Sequence, residues 1–244
     1  MLRGKTALIT GGSGALGSAI ARTFGREGAT VAFSYNRGEE KAKALYDELS
    51  ENEVRAYMYK AELLNKGDWE GIVKDLEEKE GGIDILVNNA AVAQVMGFPL
   101  IDEEDWDLLM NVNIKGPFVV TKAVVRRMIS RRKGCIVNIG SLAGEKIMEV
   151  PVHYATTKSA VNGFTRSLAF ELSRFNIRVN SVIPGLLNQG VGLNVPEKQR
   201  NDYCRFCTLK RIGEPSEVAE VVAFVASDRA SYLNAQAIFV DGGI

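Results

Sequence analysis

Residues 5–17 read Lys-Thr-Ala-Leu-Ile-Thr-Gly-Gly-Ser-Gly-Ala-Leu-Gly, a short apolar run followed by a glycine-rich turn. Helical spacing of the next apolar residues begins at Leu16 and reaches Phe24, and Gly28 is a helix stop signal. Glycines let the backbone approach a pyrophosphate closely, and a helix N-terminus favours its negative charge. A strand, such a turn and a helix at the first βα junction predict a dinucleotide site. The alternative is a glycine-rich turn without a ligand.

Short β-branched runs alternate with longer stretches of helical period along the rest of the chain. Several runs are continuously apolar, as expected for strands covered on both faces of a parallel sheet. The pattern predicts an α/β fold, with a doubly wound parallel sheet of seven strands and helices on both faces. The predicted strands are Thr6–Thr10, Thr30–Ser34, Val54–Tyr59, Ile83–Asn88, Cys135–Ile139, Arg178–Ile183 and Ala237–Val240, and the later helices cover about 38–51, 65–80, 102–131, 153–175 and 215–226.

We expect a single domain over residues 1–244, because the chain has no internal repeat, low-complexity block or flexible linker. The segment at about 186–212 has no clear period. An irregular segment of this length in a compact domain is more often functional than accidental, so it is a candidate substrate lid.

Charge and composition narrow the function classes. Thirty basic residues balance thirty acidic residues, so no overall positive field attracts nucleic acid. The longest apolar runs, such as Val218–Ala226, are interrupted or too short to span a bilayer, so we expect no membrane partner. The N-terminus lacks the charged, apolar and small-residue succession of a signal peptide. We therefore expect a cytoplasmic protein.

The three cysteines favour free thiols, because an odd, sparse count does not make a disulfide framework. Cys204 and Cys207 form a C-x-x-C pair, which could also indicate a zinc site or a redox pair. Zinc needs about four ligands, and the single histidine, His153, does not complete a convincing set. We expect no metal site. His153 is expected to line the substrate pocket or face solvent, without a catalytic role.

Tyr154 and Lys158 lie four residues apart at the start of a predicted helix, so their side chains share one face. A nearby ammonium lowers the pKa of a phenol. As a phenol, Tyr154 can protonate an alkoxide, and as a phenolate it can deprotonate an alcohol. Ser141 follows the fifth strand at the sheet edge where doubly wound proteins place their chemistry, and would hydrogen-bond a substrate oxygen. Alone, a tyrosine–lysine pair at this spacing is also common by chance.

Residues 10–17 resemble the T-G-x-x-x-G-x-G turn of the short-chain dehydrogenase/reductases, with Ala15 in place of the middle glycine. The resemblance extends along the whole chain. Asn88-Asn89-Ala90-Ala91 is similar to the family's N-N-A-G element, Pro184-Gly185 to its P-G element and Asp241-Gly242-Gly243 to its final D-G-G. The resemblance implies a Rossmann-type oxidoreductase that uses a nicotinamide cofactor to interconvert ketones and secondary alcohols.

The resemblance also implies site residues. Ser141 stands thirteen residues before Tyr154, the family's separation, and with Lys158 and Asn113 completes a catalytic tetrad. In the family Asn113's counterpart anchors a water that leads to the lysine; Asn111 is a neighbouring candidate. A complete tetrad disfavours the remote alternative of a non-catalytic, cofactor-binding regulator. Glu62, after the third strand, stands at the place of the family's usual adenine-contacting aspartate. The implied cofactor contacts are Gly11, Ser13, Gly14, Ala15, Leu16, Gly17, Arg37, Glu62, Leu63, Asn89, Ala90, Ala91, Tyr154, Lys158, Pro184, Gly185 and Leu187.

The end of the second strand favours NADP(H) over NAD(H). NAD enzymes usually place an acid there to hold the ribose hydroxyls, whereas a 2′-phosphate is held by arginine. This strand ends Ser34-Tyr35-Asn36-Arg37, without the acid, and Arg37 offers charge-assisted hydrogen bonds. The alternative is that Arg37 is a solvated loop residue.

Within the family, the chain looks closest to the 3-oxoacyl-(acyl-carrier-protein) reductases. This resemblance implies NADPH-dependent reduction of a 3-oxoacyl thioester or related β-keto compound, with an acyl carrier protein as a partner and a homotetramer as the usual assembly. The alternative is an NAD-dependent dehydrogenase that acts on a secondary alcohol of another substrate class. The basic cluster Arg126, Arg127, Arg131, Arg132 and Lys133 could steer an acidic carrier, with Arg132 at the family's basic position, or could complement a helix dipole.

The predicted lid departs from the family pattern. Gln189 stands five residues after Pro184, where relatives carry a threonine that holds the carboxamide. A mostly apolar wall suits an acyl chain or cyclic ketone. The candidate wall residues are Met96, Phe98, Met148, Val150 and Phe206.

Overall fold

The computed structural model describes residues 1–146 and 149–244. Its seven strands form one parallel sheet in the order β3-β2-β1-β4-β5-β6-β7, which confirms the predicted fold class. The strand order reverses between β1 and β4, so a crevice opens at the carboxyl ends of these two strands. The strands are β1 (Thr6–Ile9), β2 (Thr30–Tyr35), β3 (Ala56–Lys60), β4 (Ile85–Asn88), β5 (Gly134–Ile139), β6 (Ile177–Pro184) and β7 (Ala237–Val240).

Helices cover both faces of the sheet because its central strands are apolar on both. Ala7 and Ile9 of β1 pack into one core, and Leu8 between them packs into the other. Helices α1 (Ala15–Arg26), α2 (Glu39–Glu51) and α8 (Pro215–Ala226) cover the first face. Helices α3 (Lys66–Glu80), α5 (Gly116–Arg131) and α6 (Val152–Leu172) cover the second.

The predicted helix over 102–131 is divided. It consists of α4 (Glu103–Met110), one π-helical turn (Asn111–Lys115) and α5. The sequence of this turn contains neither glycine nor proline, so it gave no signal of the change. A π-helical turn shifts the faces that the two parts of the helix present, and such turns are frequent at functional sites.

The same continuous helical stretch, Glu103–Arg131, is 29 residues long with a mean hydropathy of 1.2 in its most apolar window, enough by length and composition to cross a membrane. This helix is longer than the apolar runs, such as Val218–Ala226, from which we expected no membrane partner. Its buried face, Val120, Val124 and Met128, packs into the core beside the sheet. A core helix gives the same signal as a membrane span.

The segment that was expected to be irregular contains a helix, α7 (Glu197–Phe206), after a short 3-10 helix (Gly190–Asn194). This helix is strongly polar, and Tyr203 is its buried residue. An amphipathic period cannot be read from a single buried position, so the helix escaped prediction.

Candidate active site

The turn after β1 lies at the mouth of the crevice and is packed to contact. Gly11 has a positive φ of 65°, and a Cβ there would lie 3.0 Å from Ala90 Cα. A Cβ on Gly17 would lie 2.2 Å from the Gly11 carbonyl oxygen. Helix α1 begins at Ala15 without a side-chain cap, so its first N–H groups are available to a ligand. The turn can therefore accept a pyrophosphate.

Thr10 and Asn89 join this turn to the end of β4. The Thr10 hydroxyl accepts hydrogen bonds from the N–H groups of Asn89 and Ala90, each at 3.0 Å. The Asn89 amide donates to the carbonyls of Thr10 at 2.9 Å and Gly11 at 3.1 Å. Two elements predicted to contact the cofactor are thus adjacent. Asn89 uses its amide nitrogen to hold the turn.

Ala15, the departure from the family's glycine, faces the predicted lid. A Cβ on Gly190 would lie 3.2 Å from the Ala15 methyl group, and Gly190 has a φ of 64°. The extra methyl group on one side therefore meets a residue without a side chain on the other. Ala15 and Gly190 are far apart in the sequence, so their contact could not be predicted from the residues around either one.

Arg37 is exposed at the end of β2, beside the crevice. Within residues 1–146 and 149–244, no carboxylate lies within ion-pair distance of its guanidinium. Lys60, at the end of β3, is in register with Tyr35 and adds a second exposed cation at this edge. Lys60 lies 4.0 Å from the Glu39 carboxylate, so Arg37, rather than Lys60, is the cation that suits an added phosphate here.

Glu62 and Leu63 follow β3 and are held by a buried tryptophan. The indole N–H of Trp69 donates to both of their carbonyls, each at 3.1 Å. The Glu62 side chain is exposed, and Leu63 packs against Gly116. The backbone of this predicted adenine-contacting loop is therefore fixed, while the Glu62 carboxylate is exposed to solvent.

Ser141 follows β5 and begins a 3-10 turn, Leu142–Gly144, where its hydroxyl accepts a hydrogen bond from the Ala143 N–H at 3.2 Å. Its side chain also contacts the Tyr154 phenol through a hydrogen bond that lowers the pKa of the tyrosine. Burial has the larger effect, and the net pKa of Tyr154 is raised above its usual value. The phenol is therefore protonated at neutral pH.

Lys158 is buried one helical turn after Tyr154, and its ammonium lies 5.8 Å from the centre of the tyrosine ring. It donates to the Ile139 carbonyl at 3.0 Å. Burial lowers the pKa of Lys158 to about 8. The expected net lowering of the Tyr154 pKa is wrong for this geometry, because desolvation of the phenol outweighs any stabilisation of the phenolate by a charge at this distance.

Gly144 is a positioning residue that the sequence analysis missed. A Cβ there would lie 2.4 Å from the Lys158 backbone carbon, so only glycine lets the Ser141 turn approach α6 this closely. Ser159 donates from its hydroxyl to the Gly144 carbonyl at 2.9 Å. The contact fixes Ser141 against the helix that carries Tyr154.

Asn113, predicted to anchor a water, lies buried in the π-helical turn. Its side chain is fully engaged. The Asn113 amide oxygen accepts from the Val92 N–H at 2.9 Å, and its nitrogen donates to the Val92 carbonyl at 2.9 Å and to the Thr157 hydroxyl at 3.1 Å. A water relay to Lys158 would have to use the Asn113 backbone instead of this amide.

His153 neither faces solvent nor lines an open pocket, in contrast to the expectation. It is fully buried, and its Nε2 lies 3.1 Å from the side-chain oxygen of Gln94. Burial lowers the pKa of His153, opposed by the charge of Asp105. The imidazole is therefore neutral at neutral pH.

Pro184 ends β6, and Gly185 continues the pairing by donating to the Val240 carbonyl at 2.9 Å. The Tyr203 hydroxyl donates to the Asp241 carbonyl at 2.7 Å and lies where a Cβ on Gly185 would be. The final Asp-Gly-Gly thus supports the Pro184-Gly185 turn from behind. Tyr203 was not predicted, because its partner is distant in sequence.

The predicted lid is mostly exposed. Leu187 forms an isolated parallel bridge with Gly213, after which Gln189 and Gly190 are exposed. Phe98 and Phe206, predicted wall residues, expose 67% and 72% of their surface. Met148, a further predicted wall residue, lies outside the described residues. The exposed apolar side chains leave a surface that a ligand or a neighbouring molecule could cover.

The basic cluster before β5 is largely engaged within the chain. Arg127 pairs with Glu77, and both Arg131 and Lys133 pair with Asp84. Arg132 donates to the Arg174 carbonyl at 2.8 Å. The cluster lies at the amino end of β5, opposite Ser141, and these contacts favour a structural role for it.

The family model described as enoyl-(acyl carrier protein) reductase matches residues 12–244. A 3-oxoacyl-(acyl-carrier-protein) reductase FabG from Thermotoga maritima is 38% identical over 243 residues, covering all of this chain and 98% of the relative. The chain belongs to the short-chain dehydrogenase/reductase family. Oxidoreductase UcpA from Salmonella typhimurium is 39% identical over 251 residues, covering 99% of this chain and 95% of the relative.

Solved structures of the family agree with this assignment. A gluconate 5-dehydrogenase from Burkholderia cenocepacia, in complex with NADP and tartrate, has a TM-score of 0.92 and 31% identity, covering 99% of this chain and 95% of its own. A short-chain dehydrogenase/reductase from Serratia marcescens has a TM-score of 0.91 and 30% identity, covering 99% and 98%. The chain is therefore an NAD(P)-dependent oxidoreductase with a Rossmann-type fold.

Proposed function

We propose that the protein reduces a 3-oxoacyl thioester or related β-keto compound to the secondary alcohol, with NADPH as the reductant. The observation that carries this proposal is the arrangement of Ser141, Tyr154 and Lys158 at the carboxyl edge of the sheet. The Tyr154 phenol contacts the Ser141 hydroxyl, and a buried ammonium lies beside the phenol ring. Three groups that stabilise and protonate a developing alkoxide converge there.

The residues of the chain divide the chemistry between them. Ser141 donates a hydrogen bond to the substrate carbonyl oxygen, which polarises the carbonyl. Bound NADPH would supply the hydride. Tyr154 gives its proton to the same oxygen, and its raised pKa keeps that proton available at neutral pH. Lys158, charged below its pKa of about 8, stabilises the phenolate left on Tyr154.

The cofactor fits the crevice on three observations. The turn Gly11–Gly17 brings backbone N–H groups to the start of α1, the Trp69-held loop presents Leu63 and Glu62, and Arg37 is unpaired within the described ranges. A 2′-phosphate would take Arg37 as a partner. The proposed contacts are those expected from the sequence, from Ser13, Gly14, Ala15 and Leu16 in the turn through Asn89, Ala90 and Ala91 to Gly185 and Leu187.

The thioester substrate class is supported by the activities of two relatives. Both are 3-oxoacyl-(acyl-carrier-protein) reductases, at 38% and 37% identity over the full chain. An acyl carrier protein would then be a partner. Since the basic cluster before β5 is engaged internally, we expect the carrier to dock near residues 186–212. We further propose a single domain in a cytoplasmic homotetramer.

The proposed function is tested by following NADPH and NADH oxidation with acetoacetyl-CoA. We expect turnover with NADPH, and Arg37→Ala should raise the KM for NADPH about 10-fold while leaving the KM for NADH unchanged. Lys41→Ala, on exposed α2, is a matched cation control. A clear preference of the wild-type enzyme for NADH would contradict the role of Arg37.

A second candidate is an alcohol dehydrogenase for a substrate that is not a thioester. The engaged basic cluster favours it, as does the likeness to a gluconate 5-dehydrogenase. A panel of polyols, hydroxy acids and cyclic alcohols with both cofactors distinguishes the two. Turnover of an alcohol at a kcat/KM well above that for acetoacetyl-CoA would select this candidate.

A further inference from the structure

Three polar side chains form a hydrogen-bonded chain from α6 to α4. The Gln94 amide nitrogen donates to the Asp105 carboxylate, and the Gln94 oxygen faces His153 Nε2 at 3.1 Å. Because the oxygen can only accept, His153 Nε2 must carry the hydrogen in this arrangement. The chain therefore fixes the tautomer of a fully buried imidazole.

The same segment after β4 is held at a second point two residues earlier. Asn113 binds both backbone groups of Val92, and the Asn113 nitrogen also donates to Thr157. Val92 and Gln94 are thus both tied to α6, the first through Asn113 and Thr157, the second through His153. These two sets of contacts, from Val92 through Asn113 to Thr157 and from Gln94 to His153, are called the clamp below. The clamp holds the segment that follows Asn89 and Ala90 against the helix that carries Tyr154.

Helix α6 carries two parallel pairs of side chains. His153 and Thr157 are four residues apart on one face, and Tyr154 and Lys158 are four apart on the face about 100° away. His153 and Thr157 make the contacts of the clamp, whereas Tyr154 and Lys158 are the proposed catalytic residues. Any rotation of the first two turns of α6 moves both pairs together.

The clamp retains a buried polar atom at a cost to stability. His153 Nδ1 is buried and has no hydrogen-bond partner in the part of the chain that the structure describes. A buried polar group without a partner is destabilising, and an apolar side chain would avoid the penalty. The hydrogen bond from His153 Nε2 to Gln94 is therefore the contact that explains a histidine, rather than an apolar residue, at this position.

We propose that His153, with Gln94 and Asp105, is a positioning residue that holds segment 90–94 against the catalytic face of α6. The inference rests on the proposed function, because segment 90–94 continues from the predicted cofactor-contacting residues Asn89 and Ala90. Release of the clamp would misplace bound cofactor relative to Tyr154. A misplacement of about 1 Å is enough to lower kcat up to about 100-fold.

The experiment uses full-length His153→Ala, His153→Gln and Gln94→Met. A glutamine at 153 places an amide N–H near the position of Nε2 and cannot titrate, so it is the matched rescue variant. Gln94→Met keeps the length of the side chain and removes both of its hydrogen bonds. The readouts are kcat and KM with NADPH and acetoacetyl-CoA, and hydrogen exchange of peptides covering residues 90–96, measured without substrate.

We expect His153→Ala and Gln94→Met to speed exchange in 90–96 and to lower kcat about 10-fold, with less than about a 3-fold change in the KM for NADPH. His153→Gln should restore both readouts to within about 2-fold of the wild type. If His153→Ala does not fold, Gln94→Met carries the same expectations. Unchanged kcat in these variants, or no rescue by glutamine, would overturn the proposal.

The two readouts separate this inference from the proposed function. If the wild-type protein reduces no ketone, the proposed function fails, and hydrogen exchange alone decides whether the clamp exists. If the wild type is active but exchange in 90–96 is the same in all variants, the clamp fails and the proposed function stands.

Discussion

The turn after β1 and the segment after β6 border the same crevice, but they are held in opposite ways. The turn is packed so closely that a single methyl group on Gly17 would overlap a carbonyl oxygen, and Thr10 and Asn89 tie it to β4. The segment from Gln189 to Asn194 is largely exposed, and Gln189 provides no side-chain cap. Local stability follows burial and hydrogen bonding, so the first region is rigid and the second opens easily.

This difference separates two tasks. A pyrophosphate and a hydride donor must be held in one geometry, which suits the packed side of the crevice, where Ser141, Tyr154 and Lys158 also lie. A substrate must enter and leave, which suits the exposed segment. Substitutions on the packed side should therefore change chemistry or stability strongly, and substitutions in the exposed segment should change them weakly.

The largest effect is expected from Tyr154→Phe. Loss of the proton donor should lower kcat by about 10²- to 10⁴-fold, while circular dichroism and Tm stay near those of the wild type. Tyr203→Phe is the matched control in α7, since it removes a hydroxyl that donates to the Asp241 carbonyl. It should reduce stability by about 1 kcal/mol and keep most of the activity. Equal losses of kcat in the two variants would break the comparison.

Lys158→Met is expected to stabilise the protein while removing activity. The folded-state pKa of Lys158 is lowered from 10.5 to about 8, so its charge destabilises the folded state by about 3 kcal/mol below pH 8. Between pH 8 and 10.5 the unfolded chain binds the extra proton, so wild-type stability rises with pH.

Denaturant unfolding of both proteins at pH 7, 8, 9 and 10 checks this prediction. The advantage of Lys158→Met should be largest at pH 7 and shrink toward pH 10. If the variant is less stable than the wild type at pH 7, interactions of the Lys158 ammonium offset the cost of its burial. The buried charge would then not destabilise the packed side of the crevice.

Gly17→Ala should weaken cofactor binding on the packed side. The new Cβ would lie 2.2 Å from the Gly11 carbonyl oxygen, so the turn must move, at a cost of about 1–3 kcal/mol. Gly14→Ala is the control within the same turn, because its Cβ would lie 3.3 Å from that oxygen. Titration of NADPH fluorescence should give a dissociation constant raised about 10-fold or more for Gly17→Ala and by a smaller factor for Gly14→Ala, whose Cβ clashes less.

The smallest effect is expected from Gly190→Ala in the exposed segment. Its positive φ and the nearby Ala15 methyl group disfavour a side chain, but an exposed segment can adjust, so we expect less than about a 3-fold change in kcat/KM. Combining it with Ala15→Gly should recover the part of the loss that comes from the contact between the two residues, while the strain of the positive φ remains. Additive effects in the double variant would show that the two regions do not touch in solution.

Much of the fold was predictable because it depends on local patterns. The seven strands were found within a few residues of their true bounds, since continuous apolar runs flanked by turns are a strong signal. The Tyr154–Lys158 spacing predicted a shared helix face, which the structure confirms. The roles of these residues in catalysis remain predictions.

The features that escaped prediction depend on contacts between distant residues. Nothing near His153 in the sequence indicates that Gln94 will bind it, or that Arg132 will meet the Arg174 carbonyl. The direction of the Tyr154 pKa shift was predicted wrongly, as a lowering instead of a rise. A spacing of four residues reveals the nearby charge but not the burial of the phenol.

Trp69 gives the protein a built-in optical reporter. Its indole is fully buried and its N–H is shared between the carbonyls of Glu62 and Leu63, in the loop proposed to contact adenine. The chain has one other tryptophan, Trp106, which is 36% exposed and therefore more readily quenched by iodide. Emission that survives iodide would come from Trp69, and a shift in its wavelength would register occupancy of the dinucleotide crevice before any substrate is known.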